Sequence, residues 1–349
     1  MDAKITKKRI AHLLSYDWIK MVVAVVVAVV IWSLVFTMTA TGITTTQRFV
    51  VCNYLDVYYG NKASTYPMIS SNRENYSHEI IEAEIVDNMR GGGDMFGQLF
   101  QGNLAVGEGD VMMVPDSPMG RTPKKDESGN ELVDEEGNVL EYDYEQTYLE
   151  NAVSGYSYAF TRLDDAEGRK GYFTQMREYL ARFYTQTGEV EVKTYGEVSL
   201  TKASFEKGSL NKRLVEEDFR ARVKRNKDKR YKKESQIVEA LQLEYQRLDK
   251  YLDAYDTFFT YLDLGAVAPT YVKVEMSSYT VEGAYGINLC PNEATMGGLK
   301  EQFYYSNLDG TITAKNMTAV FLCLEGLEVN YQYENLLFLN ELIKNVYVA

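Results

Sequence analysis

The residues that most often perform chemistry are scarce in this sequence or lack a recognisable spacing. There are two histidines, His12 and His78, and neither stands in the spacing of a metal site or a Ser-His-Asp site. The 50 Asp and Glu residues offer many neighbouring carboxylates, but no spacing singles out a pair of the kind that hydrolyses glycosides. The sequence therefore predicts no catalytic residue, no metal site and no cofactor, and we do not expect an enzyme.

Two local motifs resemble ion-binding or phosphate-binding loops. Gly91–Gly93 form a glycine triplet, but the lysine and hydroxyl that complete a phosphate-binding loop are missing. Residues 118–147 form an acidic insertion with two near-copies, DESGNEL at 126–132 and DEEGNVL at 134–140, each with a Gly-Asn turn. Because its carboxylates do not follow the EF-hand spacing, a solvated acidic β-hairpin is favoured over a calcium site.

The stretch that organises the chain is Met21–Thr39, which contains no charged residue. At about 1.5 Å per residue, a helix of this length spans roughly 28 Å, close to the hydrocarbon thickness of a bilayer. Trp18 stands where an interfacial aromatic anchor is expected. We therefore predict one transmembrane helix, with the lipid bilayer as the partner of residues 21–39.

The flanking charges predict how this helix is oriented. Five basic residues precede it, and the first charge after it is Arg48. The positive-inside rule places residues 1–20 in the cytoplasm, residues 40–48 in a stem and residues 49–349 outside the membrane. A cleaved signal peptide is the alternative, but its apolar core would be shorter and the pattern for cleavage after Ala40 is poor. An uncleaved signal anchor, and hence a single-pass protein of the cell membrane, is favoured.

Composition indicates a packed domain outside the membrane. Apolar residues make up 45% of the chain and aromatic residues 13%, which favours a folded body over a disordered stalk. The net charge of −13 and the predicted location argue against nucleic acid as a partner. Three cysteines, Cys52, Cys290 and Cys323, are too few for a disulfide framework, and we expect them to be small buried residues.

Hydrophobic patterning predicts a mixed α/β fold for this body. Strands are predicted at Phe49–Tyr59, Ser77–Val86 and Asp110–Pro115, the last of them buried on both faces. Residues 205–264 form a long helical segment whose apolar residues recur every three or four positions. Within it, Lys212–Lys233 contains eleven Lys and Arg against four acids. This basic stretch is either a solvated helix face or hairpin tip, or a contact with an anionic surface such as lipid headgroups or wall polymer.

The order of these elements resembles the extracellular solute-binding proteins of ABC importers, of the carbohydrate type. The resemblance covers about a third of the chain, and Gly109 stands where that family has a proline. Near the C-terminus it includes Tyr285–Leu289 and the helical stretch within Asn316–Asn345. The matching segments of the first lobe are Ile81–Val86, Leu104–Gly109 and Asp110–Asp116.

The resemblance implies a two-lobed, periplasmic-binding-protein-like fold with ligand held between the lobes, at strand ends. Tyrosines would stack on sugar faces and carboxylates would accept hydrogen bonds from hydroxyls. Both tryptophans, Trp18 and Trp32, lie in the N-terminal anchor, so the family's tryptophan contacts are missing. The ligand-binding residues that the resemblance implies are Asp56, Tyr58, Tyr59, Asp116, Ser117, Tyr285 and Asn288.

Two functions from different classes follow. The first is a membrane-anchored solute-binding protein that captures a small polar ligand, such as a sugar or oligosaccharide, for an ABC permease or a sensing system. The second is a membrane-tethered structural or assembly protein of the envelope, which binds protein or wall polymer through its helical segment.

The predicted topology can be tested on intact cells. Protease added outside should remove a C-terminal epitope tag, because residues 49–349 are expected to lie outside the membrane, and an immunoblot reports the loss. A tag that resists protease until the cells are lysed, or mature protein released into the medium, would contradict the prediction.

Overall fold

The computed structural model describes residues 7–8, 18–39, 47–60, 76–86, 93–105, 109–226, 228–293, 296–322 and 333–347. Gly91 and Gly92 of the glycine triplet, Cys323 and most of the cytoplasmic and stem segments lie outside the described residues, whereas Gly93 begins a helix. The chain divides into two compact units, Met1–Ile43 and Thr44–Ala349.

The first unit contains helix α1, Trp18–Thr39. It is the one helix among the described residues that is long and apolar enough to cross a membrane. Its 22 residues correspond to about 33 Å of helix. The side chains from Trp18 to Val35 are all exposed, as expected for an apolar helix whose partner is lipid. A signal sequence near the N-terminus can meet the same criterion of length and apolarity, so the helix alone leaves cleavage open.

The second unit is a mixed α/β domain, as the patterning predicts. Its strands are β1 Arg48–Asn53, β2 Val57–Tyr59, β3 Glu82–Val86, β4 Val111–Pro115, β5 Arg121–Pro123, β6 Tyr142–Tyr144, β7 Gln186–Tyr195, β8 Val198–Phe205, β9 Ala268–Glu275, β10 Thr280–Asn288, β11 Phe303–Ser306, β12 Ile312–Thr313 and β13 Met317–Phe321. Its helices are α2 Gly93–Ala105, α3 Tyr148–Tyr156, α4 Tyr172–Ala181, α5 Lys212–Asn226, α6 Glu234–Asp263, α7 Met296–Lys300 and α8 Glu334–Val346.

A six-stranded sheet in the order β3-β1-β4-β13-β10-β9 forms the centre of this domain. Strands β3, β1 and β4 are parallel, whereas β13, β10 and β9 each pair antiparallel with the preceding strand in that order. A smaller sheet, in the order β12-β11-β2, continues from the end of β1.

The central strands are apolar throughout because both of their faces are covered. Phe49 and Val51 of β1 pack on one face with residues of α4, α6 and α8. Val50 and Cys52 pack on the other face with Phe100 of α2 and the apolar side of α3. The side chains of a strand alternate between the two faces, so a strand covered on both sides reads as a continuous apolar run.

Two predicted strands are shorter than the patterning suggests. Phe49–Tyr59 is interrupted by a turn at Asp56, whose φ of 58° is left-handed. Ser77–Val86 is a strand only from Glu82, because the backbone at Ser77 and the side chains after it bond to α6, α8 and the α5–α6 connection instead.

The long helical segment is two helices, α5 and α6, rather than one. Between them the carboxylate of Asp228 accepts hydrogen bonds from the backbone and side chain of Arg230, which fixes a turn. The predicted apolar stripe of α6 is buried in the core. Its central members are Leu248, Leu252, Tyr255, Phe259 and Leu262.

The acidic insertion contains the β5–β6 hairpin and two eight-residue turns between its strands. In each turn an aspartate caps its own loop: Asp126 accepts from the backbone of Asn130, and Asp134 accepts from that of Asn138. Leu132 N donates to Lys124 O over 2.9 Å, and Leu140 N donates to Leu132 O over 2.7 Å. The carboxylates of Asp126 and Asp134 are therefore used within the turns.

The glycine of the predicted Tyr285–Leu289 motif has a packing reason. A Cβ on Gly286 would lie 2.2 Å from Cγ2 of Thr318 on the adjacent strand β13. The β-branched side chain of Thr318 has little freedom to rotate away from it. Gly286→Ala should therefore destabilise the domain by about 2–3 kcal/mol, measured by urea unfolding of the full chain in mild detergent. Adding Thr318→Ala should recover part of the loss. Wild-type stability of Gly286→Ala would contradict this account.

Candidate functional site

Four strands of the six-stranded sheet, β1, β3, β4 and β10, end at one edge, called here the carboxyl edge. Strand β10 runs in the direction of β4, because each pairs antiparallel with β13 between them. Asp56 and Asp116 follow β1 and β4 at this edge, and Asn288 is the last residue of β10. The chain also passes from β1 to β3 on one side and returns to β4 on the other, so a topological switch point lies between β1 and β4.

A short chain of hydrogen bonds joins the ends of β4 and β10. Asp116 N donates to Asn316 O over 2.8 Å, and Asn288 Nδ2 donates to Asn316 Oδ1 over 3.4 Å. Asn288 Oδ1 accepts from Cys290 N over 2.9 Å. The backbone of Asp116 and the half-buried side chain of Asn288 are thus fixed at the edge.

The N-terminus of α3 joins the end of β4 to the turn after β1. Tyr148 N donates to Ser117 O over 3.0 Å, and the Tyr148 hydroxyl donates to Asp56 Oδ2 over 2.9 Å. Thr147 and Glu150 form a reciprocal capping box that begins this helix. The sequence pattern Thr-x-x-Glu could have revealed Tyr148 as the first residue of a helix at this edge.

The aromatic residues of the edge are exposed. Tyr58 is 40% exposed and stacks on Tyr304 of β11, with ring centroids 5.6 Å apart. Tyr59 follows on the same strand and therefore projects from the opposite face. Asp56 is also exposed. The edge thus presents an aromatic surface beside a carboxylate.

Tyr285 does not belong to this group. It lies three residues before the end of β10, is 6% exposed and packs in the core on the α3 side of the sheet. The guanidinium of Arg162 lies 5.8 Å from its ring centroid. The structure therefore places Asp56, Tyr58, Asp116, Ser117 and Asn288 at the carboxyl edge, whereas Tyr59 projects from the opposite face of its strand and Tyr285 lies inside the sheet.

One further group at this edge was not predicted from the sequence. The side chain of Asn53, the last residue of β1, is fully buried, and neither its nitrogen nor its oxygen has a hydrogen-bond partner among the described residues. A buried amide normally has a partner. Burial raises the pKa of Asp116, and Glu150 adds to the rise while a hydrogen bond from Thr147 opposes it.

A second polar cluster, the Glu244 cluster, lies between the segment after Tyr76 and helices α5 and α6. Glu244 is fully buried, and its carboxylate accepts hydrogen bonds from the guanidinium groups of Arg222 and Arg247. His78 Nε2 lies 2.7 Å from Glu244 Oε1. Burial alone would raise the pKa of Glu244, but Arg247 and Arg222 outweigh it and hold the pKa far below its usual range.

Glu79 extends this cluster to the connection between α5 and α6. Its Oε1 accepts from Arg222 Nη1 over 3.2 Å, and its Oε2 accepts from Arg230. Arg230 also pairs with Asp228 over 2.7 Å. Two arginines of the basic stretch, Arg222 and Arg230, therefore bind carboxylates inside the domain, which composition alone could not reveal.

His78, Glu79 and Glu244 offer ligand atoms within 4.8 Å of one another, the spacing of a metal site. Each carboxylate already accepts hydrogen bonds from two arginines, and Arg222 contacts both. A divalent cation would have to displace these arginines and would be repelled by their charges. The arrangement therefore fits a structural ion-pair cluster and does not fit a metal centre.

A cleft of about 490 Å³ opens beside the Glu244 cluster. One wall is a single face of α6, because Leu243, Gln246, Arg247 and Lys250 are spaced by three, one and three residues. The other wall consists of Tyr76, Ser77, His78 and Tyr231.

Comparisons of the chain with protein-family models, with curated proteins and with solved structures found no match.

The Glu244 cluster should contribute strongly to stability. Glu244→Gln leaves the buried Arg247 without its counter-charge and removes one of the carboxylates that pair with Arg222, so we expect a loss of about 3–5 kcal/mol in the free energy of unfolding. Urea unfolding followed by circular dichroism measures it. The matched control is Glu234→Gln, which breaks an exposed pair with Arg220 and should cost much less. Equal losses in the two variants would contradict a structural role for the cluster.

Proposed function

We propose that this chain is a membrane-anchored, extracytoplasmic solute-binding-like protein that captures a small polar ligand, with a sugar or oligosaccharide as the best fit. Its site is the carboxyl edge of the six-stranded sheet. Helix α1 holds the domain at the membrane, and the basic residues before it favour an orientation with the N-terminus in the cytoplasm.

The observation that carries this proposal is the meeting of polar side chains at a topological switch point. Open α/β sheets bind ligands outside the carboxyl ends of their strands, at the position where the strand order reverses. Asp56 and Asp116 follow the two strands on either side of that position, and Asn288 is the last residue of the nearby β10. The side-chain amide of Asn53, which has no hydrogen-bond partner among the described residues, ends one of these strands.

The chemistry of the edge suits a hydroxyl-rich ligand. Carboxylates and amide oxygens accept hydrogen bonds from hydroxyls, and an exposed tyrosine ring packs on the apolar face of a sugar. Asp56 and Tyr58 are exposed, and Asp116 and Asn288 are half-buried. A ligand that packs on Tyr58 could therefore also reach hydrogen-bond acceptors of this edge.

The proposal places the ligand on one sheet edge and does not depend on closure of two lobes. Thr44–Ala349 forms one compact unit, so the two-lobed arrangement implied by the family resemblance is the more specific form of this hypothesis. Delivery to an ABC permease, or to a sensing partner, would then require that partner to contact the same domain.

A second candidate function is envelope assembly through the α5–α6 hairpin. Lys224, Lys229, Lys232 and Lys233 are exposed around the connection between these helices. In a protein of net charge −13 such a basic tip would favour an anionic partner, for example a wall polymer.

The two functions predict different results in a thermal-shift screen of the full chain, held in lipid nanodiscs, against neutral mono- and oligosaccharides. We expect one class to raise the unfolding midpoint by several kelvin, as binding to the folded state requires. Asp56→Asn keeps a residue that tolerates the left-handed backbone but removes the charge, and it should weaken binding about tenfold. Tyr58→Ala should weaken it similarly by removing the stacking surface.

Tyr279→Ala is the matched control. This tyrosine is 56% exposed and precedes β10, at the opposite end from Asn288. It should bind like wild type. A screen without any response, or equal losses for Tyr58→Ala and Tyr279→Ala, would overturn the carboxyl-edge site and favour the assembly function.

A further inference from the structure

We propose that the cleft between α6 and the segment Tyr76–His78 is a second binding site, and that it takes a small molecule bearing a carboxylate or phosphate group. This site is separate from the carboxyl edge, because none of the residues that line it belongs to that edge.

The lining of the cleft is rich in hydrogen-bond donors and cations. Lys250, Arg247 and His78 line it together with the amide of Gln246 and the hydroxyl of Tyr231. None of the described lining residues is an Asp or Glu, although the protein as a whole carries 50 of these residues. A cleft with this lining in an acidic protein selects for an anion, because anions are otherwise repelled from the surface.

The donors are held in fixed positions by the contacts around them. The His78 ring lies between Glu244 and the Tyr231 hydroxyl, with nitrogen–oxygen distances of 2.7 and 3.3 Å. Lys250 Nζ donates to Tyr76 O over 2.6 Å, which bridges the two walls. Side chains that are ordered before binding lose less entropy when a ligand arrives.

The carboxylates beside the cleft are all bound by cations and do not face it as free negative charges. Glu244 is shared by Arg222, Arg247 and His78. Glu79 pairs with Arg222 and Arg230, Asp228 pairs with Arg230, and Asp218 pairs with Arg222. Arg247 bonds to Glu244 and to the hydroxyl of Tyr179.

The size and the rim define the ligand further. A volume of about 490 Å³ suits a small organic molecule rather than a macromolecular chain. Leu243, which is 44% exposed, provides an apolar rim, and the ring of Tyr231 lies on the opposite wall. A small carboxylate or phosphate ester with an apolar flank matches both features.

Three substitutions of Leu243 that differ in charge test the proposal without changing a residue of the Glu244 cluster. Because this side chain is exposed and makes no ion pair, Leu243→Glu, Leu243→Gln and Leu243→Lys should all fold, and circular dichroism verifies that. Isothermal titration calorimetry on the full chain in nanodiscs would use phosphate, pyrophosphate and citrate as probes, with sodium chloride at matched ionic strength as the blank. We expect at least one probe to bind, with Leu243→Glu weakening it about tenfold and Leu243→Lys equal to or tighter than Leu243→Gln.

Each outcome either supports or overturns the proposed anion site. Binding of a probe in the charge order Lys, Gln, Glu supports the site, and the comparison of phosphate with citrate identifies the preferred anion. Absence of binding by all three probes above the chloride blank, or the same affinity in all three variants, overturns it. Neutral sugars should be insensitive to these variants, so the result is independent of the carboxyl-edge proposal.

Discussion

The burial of β1 and β4 on both faces is the constraint on which the domain depends. Two adjacent strands whose inner residues are all apolar can exist only if each face is covered, here by α4, α6 and α8 on one face and by α2 and α3 on the other. The chain must therefore cross the sheet edge repeatedly. The turns after β1 and β4 become the places where polar side chains can return to water beside each other.

The Glu244 cluster connects segments that are far apart in the sequence. His78 and Glu79 precede α5 by more than a hundred residues, yet Glu79 binds the same arginine, Arg222, as Glu244 of α6, and His78 bonds to Glu244 itself. Buried ion pairs add little net energy compared with apolar packing, but breaking one is costly. The cluster thus fixes where the α5–α6 pair lies against the chain before β3, and the cleft follows from that placement.

Much of the fold follows from local patterning, whereas the second site does not. The apolar run of β4, the stripe of α6 and the membrane-length helix were predictable, because each is a periodic signal within a short window. The break between α5 and α6 depends on Asp228 bonding to Arg230, which period and composition do not reveal. The basic stretch predicted an outward surface for all its cations. Arg222 is instead 3% exposed, because its partner Glu79 comes from a distant segment.

The two capped turns of the acidic insertion make that segment modular. Lys124, Leu132 and Leu140 are linked in eight-residue steps by backbone hydrogen bonds, and each step contains its own aspartate cap. The strands at its base, β5 and β6, pair only with each other within the described residues. Gain or loss of one complete octad would keep the remaining cap and the base intact, so related chains can differ in length here by multiples of eight without refolding the domain.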